Sequence, residues 1–469
     1  MINKQDAIIF LGILIVALCA RVLFLSYIPQ VVFDEVHFGK FISSYCCTHQ
    51  RFFDIHPPVG KLIIAAGAYL SGYNGLFSFE FIGQPFAGVP IAGIRLVPAL
   101  FGVLLSGVIY SLLRLIGVSR QFAALGGMAI ALDNALIAES RFVLMDNILL
   151  VMTFGALAAG IASVKKEFQK FSWWFIMLAG VLAGASMGIK FTGALAGGLV
   201  VLVFLVEMFK SFLPLAKGEA EGVLLSRRTS PDPSFVRRGN VGIWLLKIFV
   251  FACTALVIYL AAWALHFSLL TLPGSGDVWG IPAGNFMQDL ISVHQQMISA
   301  NYNLTAGHPY GSAWWTWPFM VRPIFYWQGT TGNQFVYLLG NPAVWWGSLF
   351  FFSMALIALC VSLLYKHTRS IGSGTYGFIW IMVIGYLWAY VPLMRVPRVL
   401  FLYHYLTPLI FSIIIAIWWV DRMVARRTKF FVVAALCIVA GFVYVSPLTY
   451  GYPLPQFWQS ALFSIPTWR

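Results

Sequence analysis

Apolar residues run in long blocks along this chain rather than alternating with polar ones. Blocks near the roughly 20 residues that an α-helix needs to cross a bilayer occupy 7–28, 91–114, 121–137, 144–163, 172–189, 192–213, 241–270, 341–364, 375–394, 399–420 and 429–447. This pattern predicts about eleven spanning helices, with the shortest block at 121–137. Two long segments outside the blocks, 29–90 and 271–340, carry much of the remaining polarity. A third, 214–240, holds Pro231 and Pro233 and reads as a flexible linker. Within 29–90, the run Val59 to Leu70 is too short to span and is expected to form an interfacial helix. There is no internal repeat.

Composition agrees with the block pattern. The chain is 60% hydrophobic and 10% charged, with a mean hydropathy of +0.85, whereas a soluble domain is about 25% charged. An all-α polytopic membrane protein follows, organised as a single transmembrane domain over 1–469. The net charge of +14 does not point to nucleic acid, because the cations sit in short loops and not in a patch interleaved with exposed aromatics. With the N-terminus and Lys4 in the cytoplasm, the cytoplasmic loops hold Arg114 and Arg120, Lys165, Lys166 and Lys170, the Lys210–Arg238 group, Lys366 and Arg369, and Arg422–Lys429. The opposite loops hold only Lys40, Arg51, Lys61, Arg141, Lys190, Arg322, Arg395 and Arg398. That asymmetry sets the orientation and puts 29–90 outside the cytoplasm. Ile8 to Ile28 is too long for a signal-peptide core and reads as a retained first span. Cys46 and Cys47 are adjacent, a spacing that rarely bridges, and no zinc-type spacing occurs. Cys19, Cys253, Cys360 and Cys437 lie in apolar blocks as small hydrophobes.

The densest chemistry lies just past the first block, from Val32 to Lys61. Asp34 and Glu35 are neighbours at membrane depth, where ionisable groups mark function. Adjacent carboxylates diverge, so one can act as a base while the other orients a partner. His56-Pro57-Pro58 reads as a stiff loop-to-helix turn, and His56 and Lys61 beside it could face the site. For Lys61, phosphate contact and snorkelling to lipid heads are equally good readings. The other external cations, Arg95, Arg141, Lys190, Arg395 and Arg398, with His404, lie on the side of these acids. Arginine matches a lipid phosphate bidentately, and an interface anchor is the alternative for each. Arg141 and Asp146 could equally form a local ion pair stapling their hairpin. Within 271–340, His308, Tyr310 and Trp314 to Trp317 could shape a sugar site or form an interfacial aromatic belt.

The segments FDEVHFGK (33–40), FFDIHPPVGKLIIA (52–65), RLVPALFG (95–102), ALDNALIAESRFVLMDNILL (131–150), GIKFTG (188–193), HPYGSAWWTWPFMVRP (308–323) and FLYHYLTP (401–408) resemble, in order and spacing, the protein O-mannosyltransferases. The resemblance covers nearly the whole chain and implies a GT-C type membrane fold. It implies inverting transfer of mannose from a dolichyl or polyprenyl phosphate to Ser or Thr hydroxyls of translocated proteins. Asp34 would be the general base and Glu35 a positioning group. Arg95, Arg141, Lys190, Arg398, His404 and Lys61 would bind the donor, and His56, Asp146, His308, Tyr310 and Trp314 would shape the site. No metal or other cofactor is implied, and a dimer is compatible with the family. Eukaryotic members carry a MIR domain in the large external loop. Residues 271–340 are too few for it, so the chain resembles a bacterial or archaeal plasma-membrane relative. Two alternatives stay open. One is a GT-C transferase for another sugar or a lipid acceptor, similar to the aminoarabinose transferases, with a divalent ion at Asp34 and Asp146. The other is a flippase for lipid-linked sugars.

Overall fold

The computed structural model describes residues 4–212, 233–303, 307–364 and 376–468. Most of the proposed linker, 214–232, and the cations Lys217, Arg227, Arg228, Lys366 and Arg369, expected in cytoplasmic loops, lie outside the described residues. The linker is also shorter than its composition suggests, because the chain is helical from Pro233 onward.

The chain opens with α1 (Lys4–Val22), α2 (Glu35–Ser43), α3 (Val59–Leu70) and α4 (Ile91–Leu115). Next come α5 (Arg120–Ala131), α6 (Asn134–Arg141), α7 (Asp146–Val164), α8 (Ser172–Met187) and α9 (Ala194–Phe212). The second half holds α10 (Pro233–Leu269), α11 (Phe286–Asn303), the strands β1 (Ile324–Gln328) and β2 (Phe335–Leu338), α12 (Pro342–Leu364) and α13 (Tyr376–Tyr390). It ends with α14 (Leu406–Met423), α15 (Arg427–Tyr450) and α16 (Gln456–Leu462). Among the described residues ten helices are long and apolar enough to cross a bilayer, and α5 with α6 makes an eleventh if that bent pair is one span. The protein is therefore a multi-pass integral membrane protein.

The block 121–137 is not one straight helix. The chain bends by 51° between α5 and α6, at Leu132-Asp133. A break in the helix strands carbonyls that nothing in a lipid phase can satisfy. Arg21 of α1, fully buried, reaches across and donates to the carbonyls of Ala131 (2.7 Å) and Ile130 (2.9 Å). Gly102 of α4 makes room, since a Cβ there would lie 2.6 Å from Arg21 Nε. On the other side of the break, Asp133 caps α6 by accepting from the Leu136 amide. Asp133 also accepts from the Asn341 amide (3.0 Å) and from Trp345 Nε1 (2.8 Å). Replacing Arg21 with Leu orphans two buried carbonyls, at about 1–3 kcal/mol each. The expected outcome is a lowered unfolding midpoint in detergent, only partly restored by Arg21→Lys, which lacks the planar fork.

Packing elsewhere follows size. Gly180 and Gly184, one turn apart on α8, let α10 come so close that a Cβ at Gly184 would lie 2.3 Å from the Ala255 carbonyl oxygen. Small residues at this spacing are the usual means of bringing membrane helices together. α3 forms as expected and buries Lys61, Ile64, Ala65 and Ala68. Contrary to the expectation from spacing, Cys46 and Cys47 are bridged. The bridge lies in a π-helical turn, Ser44–Thr48, that follows α2. The turn carries Tyr45, whose hydroxyl lies 2.6 Å from His266 Nδ1. The described part of the long segment 271–340 holds α11 and an antiparallel hairpin of β1 on β2.

Candidate active site

The loop after α1 is locked before it reaches Asp34. Glu35, fully buried, accepts from Arg95 Nε (2.8 Å) and Nη2 (2.7 Å), the bidentate fork of a charge-assisted pair. It also accepts from the amides of Val32 (2.9 Å) and Val143 (3.0 Å). The remaining Arg95 donors reach the carbonyls of Ile28 and Gln30, and its guanidinium lies over the rings of Phe86 and Phe142. Arg95 is thus fully buried and engaged, so the structure does not bring it forward as a phosphate ligand. Glu35 likewise holds the loop and faces no opening.

Two more expected donor ligands are engaged elsewhere. Arg141 donates to the carbonyls of Arg21, Leu23 and Phe24, closing the end of α1, and lies over the Tyr450 ring. It does not pair with Asp146, so the local staple expected from the sequence is not formed. Asp146 instead holds Lys190 Nζ with both oxygens, at 2.8 and 2.9 Å. Lys61 is buried on α3, paired with Asp54 and donating to the His56 carbonyl (2.6 Å). It does not snorkel, and with Asp54 and His56 it lines a small cavity.

Asp34 is different. It sits at the N-terminus of α2 yet makes no cap hydrogen bond, and no described residue holds its carboxylate by a hydrogen bond or ion pair. Burial pushes its pKa up to about 7 against the pull of Lys190, and Asp146 and Asp54 push the same way. Around it lie Lys190 with Asp146, and Tyr403, whose ring carries Lys190 Nζ at 5.2 Å. Tyr403 stacks on His404 at 4.4 Å. His404 Nδ1 is taken by the Phe401 backbone, which leaves Nε2 available. Arg398 has no ion pair or hydrogen bond with a described residue, and its charge reaches His404 and His56. Burial, and then the charges of Lys190, Lys61, Arg398 and His404, hold the His56 imidazole well below its usual pKa, so it stays neutral.

Beside Arg398 an open cleft is lined by His308, Ser312, Trp314 and Met394. His308 packs edge-on against Phe401 at 5.0 Å, and Trp314 packs on Tyr390. Tyr310 stands apart, stacked on Phe325 with Arg322 over its face. The tryptophans do not behave as one belt: Trp315 is exposed, while Trp317 is fully buried and stacked on His404. The structure thus gathers Asp34, His56, Asp146, Lys190, Arg398 and His404, with His308 and Trp314 at the rim. Of the tryptophans that the sequence offered, Trp317 joins through its stack on His404. The structure adds Asp54 and Tyr403. Asp54 and Lys61 flank the His-Pro-Pro turn, and Tyr403 neighbours His404, so proximity in the chain was the available signal for both.

Residues 12–271 match the family model of dolichyl-phosphate-mannose-protein mannosyltransferase, and residues 286–468 match that of the C-terminal four-span region of protein-O-mannosyltransferase. Protein O-mannosyltransferase 1 of Drosophila melanogaster is 34% identical over 251 residues, which is 53% of this chain and 26% of that protein. The match therefore spans only about a quarter of that relative's length. Among solved structures, the S. cerevisiae protein O-mannosyltransferase Pmt1-Pmt2 complex bound to the sugar donor superposes with a TM-score of 0.88 at 18% identity, covering 100% of this chain and 93% of that chain. ArnT from Cupriavidus metallidurans bound to undecaprenyl phosphate gives 0.52 at 15% identity, over 95% of this chain and 65% of that one. At these identities the likeness speaks to the fold, which is of the GT-C type that the motifs imply.

Proposed function

Because the chain belongs to the dolichyl-phosphate-mannose-protein mannosyltransferase family, we propose that it passes mannose from a dolichyl or polyprenyl phosphate to Ser or Thr hydroxyls of proteins outside the cytoplasm. The observation that carries this reading is the contrast between two adjacent carboxylates. Glu35 is fully engaged by Arg95 and two amides, while the Asp34 carboxylate has no hydrogen bond or ion pair with a described residue and is desolvated beside cations. A bare carboxylate with a pKa near neutrality is a general base.

In the reaction, the acceptor hydroxyl oxygen attacks C1 of mannose from the face opposite the phosphate. Asp34 takes the hydroxyl proton, the C1–O bond to phosphate breaks with both electrons going to the phosphate oxygen, and the configuration inverts. The leaving lipid phosphate needs charge stabilisation more than a proton. Arg398 and His404 Nε2, which have no hydrogen bond or ion pair with another described residue, are the groups to supply it, and Lys190, held by Asp146, lies near Asp34. A second protomer is part of the reading, given the likeness to a complex of two chains. So is a bacterial or archaeal plasma membrane, given the short 271–340 segment.

The test is purified protein with polyprenyl-phosphate-mannose and a Ser/Thr-rich peptide. Mannosyl-peptide should form at an undiminished rate in EDTA, because Asp146 is held by Lys190 and Asp34 alone is no metal cage. Mannose appearing only on a lipid acceptor, or movement of the donor across vesicles without transfer, would replace this reading. The pH dependence has a definite sign. Asp34 works ionised, so kcat/KM falls about tenfold per unit below its pKa and is level above it, with the bend near pH 7.

A further inference from the structure

The residue before Asp34 is in an unusual conformation. Phe33 has φ of +46°, in the left-handed region. A bulky side chain stays there only where its surroundings hold it, and such residues gather at functional sites. The direction in which Asp34 leaves the backbone depends on that corner.

Tyr326 is what holds it. In the β1–β2 hairpin Phe325 pairs with Tyr337 and Trp327 with Val336, so Tyr326 is an extra residue with no partner on β2. A bulge of this kind re-aims a side chain and frees a backbone group from the ladder. Here the freed Tyr326 carbonyl accepts the Phe33 amide at 3.1 Å. The Tyr326 ring lies flat on the Phe33 ring, at 4.1 Å and 8°. Next along β1, Trp327 Nε1 donates to Gln30 Oε1 at 2.7 Å, tying the hairpin to the same loop. Behind the ring, the Tyr326 hydroxyl donates to Glu139 Oε1 at 2.9 Å. Tyr326 and Glu139 are both buried, and the other Glu139 oxygen has no described partner. Glu139 therefore receives only this one hydrogen bond from the described residues, and the bond fixes the ring.

We propose that Tyr326, backed by Glu139, is a positioning residue that holds Phe33 in its left-handed corner and so aims the Asp34 carboxylate. The proposal rests on the role given to Asp34 above. Tyr326 lies in the second matched region and Phe33 in the first, so the C-terminal half of the chain sets the geometry of a base carried by the N-terminal half.

The experiment combines two readouts on Tyr326→Leu, Tyr326→Phe, Glu139→Leu and Glu139→Gln. One is transfer kinetics, and the other is hydrogen exchange of the 32–36 amides in the purified protein. Tyr326→Leu should lower kcat by about a hundredfold, the cost of a roughly 1 Å misplacement, with the donor KM unchanged. Exchange at Phe33 and Val36 should rise in parallel. Tyr326→Phe, which keeps the stack, should do the same to a smaller degree and covers the case in which the Leu variant does not fold. Glu139→Gln keeps an acceptor for the hydroxyl and should recover most of what Glu139→Leu loses. Unchanged exchange in the Tyr326 variants overturns the proposal. So does a loss in Glu139→Gln as deep as in Glu139→Leu, which would make the Glu139 charge itself the active feature. The exchange readout needs no transfer. A wild-type protein that moves no mannose would therefore remove the proposed function, while exchange at Phe33 would still decide whether Tyr326 holds the corner.

Discussion

Asp34→Asn should abolish measurable transfer while the protein stays folded. A positioned base contributes about 10²–10⁴-fold, and the amide matches the carboxylate in shape while accepting no proton at neutral pH. The fold has nothing to lose, because Asp34 makes no cap bond and no ion pair with a described residue. Its folded-state pKa near 7 stands above the ordinary value of 3.8, so the folded protein holds this proton more tightly than the unfolded chain does. Ionising Asp34 therefore takes stability away as pH rises from about 4 to about 7. The Asn variant carries no such penalty, and its unfolding midpoint above pH 7 should equal or exceed that of the wild type. Thermal unfolding and transfer measured on the same preparation check both halves. Turnover at the wild-type rate would take Asp34 out of the base role.

Arg95→Met is the opposite case: a residue that supports the site from behind, expected to destroy the fold first. Removing one member of a buried pair leaves an uncompensated charge and costs about 3–5 kcal/mol. Glu35 would keep the amides of Val32 and Val143 and lose the guanidinium fork. The measurement is the unfolding midpoint in detergent, followed by transfer activity at a temperature where the variant is still folded. Pairing the change with Glu35→Gln should restore part of the loss, since the stranded charge is gone. An unshifted midpoint in Arg95→Met would mean that the pair does not anchor the loop.

Arg95 and Arg141 show where inference from sequence stops. Span positions, the acids after α1 and the cluster of cations near them follow from block length and from the cost of charge in lipid. Arg95 and Arg141 look, in sequence, the same as Arg398. What separates them is whether backbone carbonyls of distant segments end at their guanidinium, and that is decided by packing: residues 60 and 67 positions away claim Arg95. The break at Asp133 was visible as two polar residues inside an apolar block, but a block read only by its length hides it. The β1–β2 hairpin left a clearer mark. Aromatic and β-branched residues flank Gly329-Thr330-Thr331-Gly332-Asn333, a turn signal that a search for spans passes over. The Cys46–Cys47 bridge, set in a π-helical turn, defeated a rule read from spacing alone.

The arginine from α1 that closes the α5–α6 break also sets a timetable for biogenesis. Arg21 is synthesised 110 residues before the Ala131 carbonyl it serves, which at about 5–20 residues per second is an interval of many seconds. During that wait its long side chain reaches for the lipid headgroups. Neither half-helix of the broken pair is long enough to enter lipid unaided, so the translocon must hold them until α1 docks. Asp133 waits longer still, since the Asn341 amide arrives 208 residues later.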